Sequence, residues 1–277
     1  NGINDDIEEC PNRRRKVISD LVQKYMPDIV LFQEFMWKGI TGKIWDTAPI
    51  PDDYDYTGGH TEASFLYDQT RVSMTPIPSF NVDTILRSLQ GNSNNQLRTI
   101  FPLEFNPIAR MAIRKVKTLA SSFEFLCVSW HGPWKKPLLE KRQYFQYFME
   151  FMRVIKEKHA RPMLIGGDFN IDLTEIKAYV VSPFEIHRYK PSRRREKKGV
   201  IDFFISTEAI DLQADSMRCI DMNEDTEEVN PTGVFDHDPI IATVALEQRT
   251  DTKGTTTLLV PVSALSASDQ MKTLRYE

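Results

Sequence analysis

Apolar residues at Val17, Ile18, Leu21, Val22 and Tyr25 recur at helical spacing opposite a charged face, and the stripe stops just before Pro27. Proline disfavours the helical conformation in the residue before it, so a helix over Arg13–Tyr25 must end there. The next residues, Asp28 to Glu34, form an apolar run with polar groups only at its ends, the pattern of a buried strand. A helix that delivers straight into a buried strand constrains the chain to a layered α/β architecture. Ahead of this helix, Asn1 to Asn12 is polar and reads as turn.

The same strand signature returns further on. Glu62–Tyr67 and Arg71–Thr75 read as two arms of a hairpin around Asp68-Gln69-Thr70. Arg110–Val116 and Phe123–Trp130 are strands joined by Ala120-Ser121-Ser122. The segment from Pro137 to Lys158 carries Tyr144, Phe148, Phe151, Met152 and Ile155 at helical spacing, a core-packing stripe flanked by Glu140, Lys141, Arg142, Glu150 and Lys156. Met163-Leu164-Ile165, Val200–Ser206 and Ile240–Leu246 are further short apolar strands, with a short helix over Glu175–Val181 among them. Phe80–Asn106 is ambiguous and holds a loop over Gln90–Gln96. After Glu247 the sequence turns threonine-rich and polar, apart from Leu258–Val262. Residues 1–247 therefore read as one domain, and residues 248–277 as a C-terminal tail or a strap over it.

Composition removes several function classes. The chain of 277 residues has 41% hydrophobic and 27% charged residues, an ordinary globular balance, and its net charge of -4 leaves polyanion binding to local patches. No apolar run approaches the ~20 residues that span a bilayer. Cys10, Cys127 and Cys219 are odd in number and include no C-x-x-C pair, which favours a reduced intracellular setting, nuclear or cytoplasmic, over a disulfide scaffold.

Chemistry-bearing residues sit at the strand ends. Glu34 closes an apolar strand, either as a solvated terminus or as a carboxylate for a hard cation such as Mg²⁺. Gly166 and Gly167 stop the Met163 strand, and Asp168 and Asn170 follow, two residues apart, as a turn or as a carboxylate–amide pair at a strand's carboxyl end. His131 lies where the chain must turn at Gly132-Pro133. Asp202 is embedded in an apolar strand, where burial without a partner is costly. Asp236 beside His237 suits proton transfer or phosphate contact. Tyr189–Lys198 is a basic loop that includes Arg193, Arg194 and Arg195; it is either a solvated charge run or a contact for a phosphate-rich partner. There is no nucleophile elbow, glycine-rich phosphate loop or zinc cluster, and the inventory suits metal-assisted hydrolysis of a phosphate ester by water.

Six stretches in order resemble the endonuclease/exonuclease/phosphatase superfamily. They are Asn1-Gly2-Ile3-Asn4, Pro27 to Glu34, Ser129-Trp130-His131, Gly167-Asp168-Phe169-Asn170, Val200-Ile201-Asp202-Phe203 and Asp236-His237-Asp238-Pro239-Ile240. The resemblance implies a four-layered α/β/β/α sandwich of two mixed sheets flanked by helices. It implies Glu34 as principal metal ligand, with Asp236 at the metal or the histidine, and Mg²⁺ or Mn²⁺ as the ion. Asp168 would orient or deprotonate the attacking water beside Asn170, His237 would touch the scissile phosphate, and Asp202 would orient His237. His131 matches a position that is histidine in deoxyribonuclease-type and sphingomyelinase-type members, with Glu62 as the candidate that orients it. Arg110 matches an arginine placed near the phosphate, and Asn1 matches the second conserved position of the opening motif. The family's first asparagine and its inner strand would precede Asn1. Phe235 replaces the usual serine before Asp-His, and Ile171-Asp172 stands in place of the inositol-phosphatase pattern. Nucleic acid is the implied substrate; a phospholipid or other small phosphoester, or a non-catalytic nucleic-acid-binding relative, is the alternative.

Overall fold

The computed structural model describes residues 3–35, 50–58, 62–90, 101–187, 189, 199–226, 237–247 and 253–260. In chain order the elements are α1 (Ile3–Tyr25), β1 (Ile29–Gln33), β2 (Tyr54–Gly58), β3 (Ala63–Asp68), β4 (Val72–Pro76) and α2 (Ser79–Gln90). Then come β5 (Met111–Thr118), β6 (Glu124–His131), α3 (Leu138–His159), β7 (Met163–Asp168), α4 (Leu173–Ile176), β8 (Phe184–His187) and β9 (Asp202–Thr207). The last are β10 (Ile210–Leu212), β11 (Arg218–Cys219), α5 (Met222–Asp225), β12 (Ile240–Glu247) and β13 (Lys253–Val260).

The strands form two mixed sheets. The first runs β10-β12-β13-β1-β3-β2, with β11 also on β12, and the second runs β4-β5-β6-β7-β9-β8. Parallel pairing occurs at β1/β13 and at β6/β7. Side-chain alternation explains why the sheets stack. In β1, Ile29 and Leu31 point to an interior shared with Leu164, Phe204 and Cys127 of the second sheet, while Val30 and Phe32 pack on Val17, Ile18, Leu21 and Val22 of α1. The outer face of the second sheet, including Trp130, Ile165 and Phe203, packs on Phe148, Phe151 and Ile155 of α3 and on Ile85 of α2. Three apolar layers thus separate helix, sheet, sheet and helix, and each fully buried large side chain contributes about 1.5–3 kcal/mol.

Three expectations differ from what is seen. The helix begins at Ile3 rather than Arg13, because apolar periodicity reports which turns are buried and not where backbone hydrogen bonding starts. The arms 62–67 and 71–75 do not pair with each other: β3 joins β1 and β2, whereas β4 joins β5 in the other sheet. Asp68 builds the turn by accepting from the Thr70 N–H (2.8 Å) and Oγ1 (2.6 Å), chemistry that serves a hairpin and a crossover equally. The tail is corrected most. Residues 253–260 are not a strap over the domain but an inner strand, β13, antiparallel to β12 and parallel to β1. Its β-branched run Thr255-Thr256-Thr257 suits a strand, and Leu258 and Leu259 pair with Ile29 and Val30.

Candidate active site

One row of residues crosses the second sheet. His131 at the end of β6 pairs with Asp168 at the end of β7, and Asp168 pairs with Asp202 at the start of β9. Neighbouring strands lie about 4.8 Å apart, so the ladder fixes this row without help from loops. All three side chains are buried. The glycine immediately before Asp168 is required by the crowding: Gly167 has φ +151°, and a Cβ there would meet the Trp130 carbonyl oxygen at 2.0 Å.

The first sheet supplies the opposite wall. Glu34 follows β1 and its N–H donates to the carbonyl of Glu62 at 2.7 Å, which continues the β1/β3 ladder. Glu62 in turn donates its N–H to the Ala109 carbonyl (2.9 Å), next to Arg110, the residue just before β5. Gln33 closes the gap between the sheets: its Nε2 donates to Ser129 Oγ at 2.9 Å, and Ser129 Oγ donates to the Phe32 carbonyl at 2.8 Å. This bridge sets Glu34 beside His131, with Glu34 Oε1 3.5 Å from His131 Nε2. His237, just before β12, reaches across to the second sheet.

Two histidine–carboxylate pairs result. His237 Nδ1 lies 2.8 Å from Asp202 Oδ1, and its Nε2 lies 4.0 Å from Asp168 Oδ2. His131 Nδ1 lies 2.7 Å from Glu62 Oε2, and Arg110 Nη1 approaches the same oxygen at 3.0 Å. The hydrogen bond from His131 holds the Glu62 carboxyl below the usual range, with Arg110 adding to the effect and desolvation opposing it. Each carboxylate accepts from Nδ1, which turns the Nε2 of His131 toward Glu34 and the Nε2 of His237 toward Asp168.

Asp168 and Asn170 form a tight unit. Asn170 donates its N–H to Asp168 Oδ1 (2.7 Å) and its Nδ2 to Asp168 Oδ2 (3.1 Å) and to the Gly132 carbonyl (3.0 Å). Arg110 Nη1 donates to that same carbonyl at 3.3 Å. Both Glu34 (φ +51°) and Asn170 (φ +54°) hold the left-handed conformation, uncommon for non-glycine residues and shared here by Met26, Asp53, Ser122, Ala160 and Ala209. Lys141, a flank residue of α3 by its spacing, donates Nζ to the Asn170 carbonyl at 2.8 Å. Burial lowers the pKa of this lysine, against the raising influence of Asp168.

The oxygen-rich donor sets fit a hard divalent cation, since Glu34, Glu62 and His131 offer ligand atoms within 4.8 Å of one another and so do Asp168, Asp202 and His237. Both histidines are held through Nδ1, so carboxylate oxygens are the readier ligands. Of the site residues expected from sequence, Glu34, Glu62, Arg110, His131, Asp168, Asn170, Asp202 and His237 come together. Asn1, Arg193, Arg194, Arg195 and Asp236 lie outside the described residues. Lys141 and the Gly132 carbonyl were missed; nothing in a helix flank or a glycine announces such contacts.

No family model and no curated protein matches the sequence. Solved structures do match. An endonuclease/exonuclease/phosphatase from Bacteroides vulgatus is 17% identical with a TM-score of 0.54, over 85% of this chain and 91% of that one. The fold is that of the endonuclease/exonuclease/phosphatase superfamily. The mannosyl-6-phosphatase of Bacteroides thetaiotaomicron shares the endonuclease/exonuclease/phosphatase fold at 17% identity and TM-score 0.55, over 88% of this chain and 95% of that one. TDP2 of D. rerio, complexed with a single-strand DNA product, is 14% identical with a TM-score of 0.50, over 82% of this chain and 89% of that one. In the endonuclease/exonuclease/phosphatase fold of this chain, the paired sheets bring both histidine–carboxylate pairs to one end of the sandwich.

Proposed function

We propose that this protein is a divalent-metal-dependent phosphodiester hydrolase acting on nucleic acid, with water as the nucleophile. The observation that carries the reading is the convergence of His131–Glu62 and His237–Asp202 on either side of the Asp168–Asn170 unit. Asp168 orients a water and accepts its proton, and the Asn170 amide fixes that carboxylate. His237, held by Asp202, donates from Nε2 to a phosphate oxygen. His131, held by Glu62, faces the leaving oxygen, and Arg110 brings positive charge to the same side. Glu34 and Asp236 would hold Mg²⁺ or Mn²⁺, which when bound supplies charge stabilisation at the phosphate. Asn1 and the loop of Arg193, Arg194 and Arg195 are assigned to the flanking polyanion. The catalytic unit is assigned to residues 1–247 together with β13, the inner strand that completes its first sheet.

Hydrolysis of a phospholipid or small phosphoester is the second reading, supported by the mannosyl-6-phosphatase that shares this fold. A non-catalytic relative is disfavoured by the retention of two complete buried or half-buried acid–histidine pairs, which cost stability to keep. A cleavage panel decides between them. Plasmid DNA, abasic duplex, single-stranded RNA, sphingomyelin and a soluble sugar or inositol phosphate are incubated with Mg²⁺ and with chelator. Mg²⁺-dependent cleavage of a polynucleotide is expected; turnover confined to lipid or small phosphoesters would reject the nuclease reading.

A further inference from the structure

Immediately after His131 the chain runs Gly132-Pro133-Trp134-Lys135-Lys136-Pro137 before α3 begins. The Gly132 carbonyl accepts from both Asn170 Nδ2 and Arg110 Nη1, so this segment is fastened to the phosphate-facing groups. Trp134 is two residues further on, and two residues of chain span at most about 7 Å. It is half-buried, whereas Lys135 and Lys136 are exposed. The Lys135 ammonium sits 4.3 Å from the centroid of the Trp134 ring, which leaves an indole with a cation on one face at the rim of the site. Trp130, by contrast, is buried and stacked on Phe148 at 3.9 Å, so its ring is spent on the core.

We propose that Trp134, Lys135 and Lys136 form a platform on which an unpaired base next to the scissile phosphate stacks, so that the substrate is held single-stranded at the site. An aromatic ring interleaved with cations is the chemistry that binds single strands with little sequence preference. The platform deepens the nucleic-acid reading and rests on it. Leu138 and Leu139, four and five residues after Trp134, are also exposed, which raises a lipid surface as a rival occupant. Among the described residues the other exposed large apolar side chains, Met26, Leu103, Leu119 and Val181, are scattered over separate loops, and two adjacent leucines make a poor bilayer-seeking patch. Charge also favours the polynucleotide, since Lys135 lies over the Trp134 ring and the neighbouring Lys136, paired at 3.0 Å with the exposed Glu140, can exchange that partner for a phosphate.

The test is binding of the full chain to a fluorescein-labelled single-stranded DNA dodecamer in chelator, by anisotropy across a salt series, with Trp134→Ala, Trp134→Phe and the double variant Lys135→Ala/Lys136→Ala. Trp134→Ala should weaken binding by about 10- to 100-fold with its salt slope unchanged, and Trp134→Phe should keep most of the affinity. The lysine variant should flatten the slope by about 0.7 per lysine. Unaltered affinity in Trp134→Ala, or no binding by the wild type, overturns the platform. So does a loss confined to phosphatidylserine-containing vesicles, which would identify a lipid-facing rim. If binding responds as expected but no polynucleotide is cleaved with Mg²⁺, the platform stands and the nuclease reading fails by itself.

Discussion

The two histidine–carboxylate pairs do the same local job in different surroundings. In His237–Asp202 both side chains are nearly sealed, at 6% and 8% exposure, and the acid lies within the strand ladder of the second sheet. In His131–Glu62 the histidine is sealed at 2%, but the acid is 44% exposed, precedes a strand of the first sheet and shares its oxygen with Arg110. A sealed pair is fixed by its surroundings, and losing either partner leaves a buried group unsatisfied. A half-open pair has water as a substitute partner and feels salt. The contrast predicts a rigid side and an adjustable side within one cleft.

The largest effect should come from the residue between the pairs. Asp168→Asn is expected to lower the metal-dependent rate by about 10³-fold or more while the thermal unfolding midpoint stays close to wild type, as read by single-turnover cleavage and calorimetry. Retained turnover would remove the water-orienting role. Asp202→Asn should come next. It replaces a charged acceptor by an amide oxygen that no longer stabilises a protonated ring, and about 10²- to 10³-fold in rate should be lost together with a measurable drop in stability. Glu62→Gln should cost only about 10-fold, with the loss growing less at high salt as the wild-type pair is itself screened. Equal losses from Asp202→Asn and Glu62→Gln would erase the distinction drawn between the pairs.

Smaller still is Lys141→Met, expected to lower the rate several-fold by releasing the left-handed turn at Asn170. Lys141→Arg should recover part of that rate, because a cation can still reach the Asn170 carbonyl. The last effect is a titration. The Glu62 carboxyl is held below its ordinary value of 4.5, so its contribution to stability is present above that pH and fades as pH falls through the depressed value. Carbon-detected NMR of Glu62 should show the carboxyl moving back up in His131→Asn, and the stability profile below about pH 4.5 should flatten with it. An unmoved titration would mean that Arg110, not His131, sets the value.

These differences bear on what the sequence could reveal. The unbroken apolar run Ile29-Val30-Leu31-Phe32 and the helical stripe at Tyr144–Ile155 report local burial, so the layers and most strands were legible. Acids in or at the end of apolar strands stood out because burial is expensive, as with Glu34 and Asp202, whereas Asp168 was marked by its spacing to Asn170 after a glycine pair at a strand's carboxyl end. Partner choice was not legible. Asp68 and Thr70 make the same turn whether the next strand folds back or crosses to another sheet. Lys141 was hidden for a related reason: a lysine on a helix flank looks the same whether it faces water or a carbonyl 29 residues away. Glu62 drew notice only through family resemblance, since its significance depends on β3 lying against β1.

The placement of β13 has a temporal consequence. Strands β4 to β9 of the second sheet are contiguous in the chain, so His131, Asp168 and Asp202 can be aligned by contacts of moderate sequence separation. Glu34 sits on a strand whose parallel neighbour is the final described segment, and that contact carries a far larger loop-closure cost. During synthesis the second sheet can therefore organise while the first still lacks an inner strand. The cleft would acquire the Glu34 carboxylate in its final position only after residues 253–260 emerge and dock, so one wall of the cleft is ready well before the other.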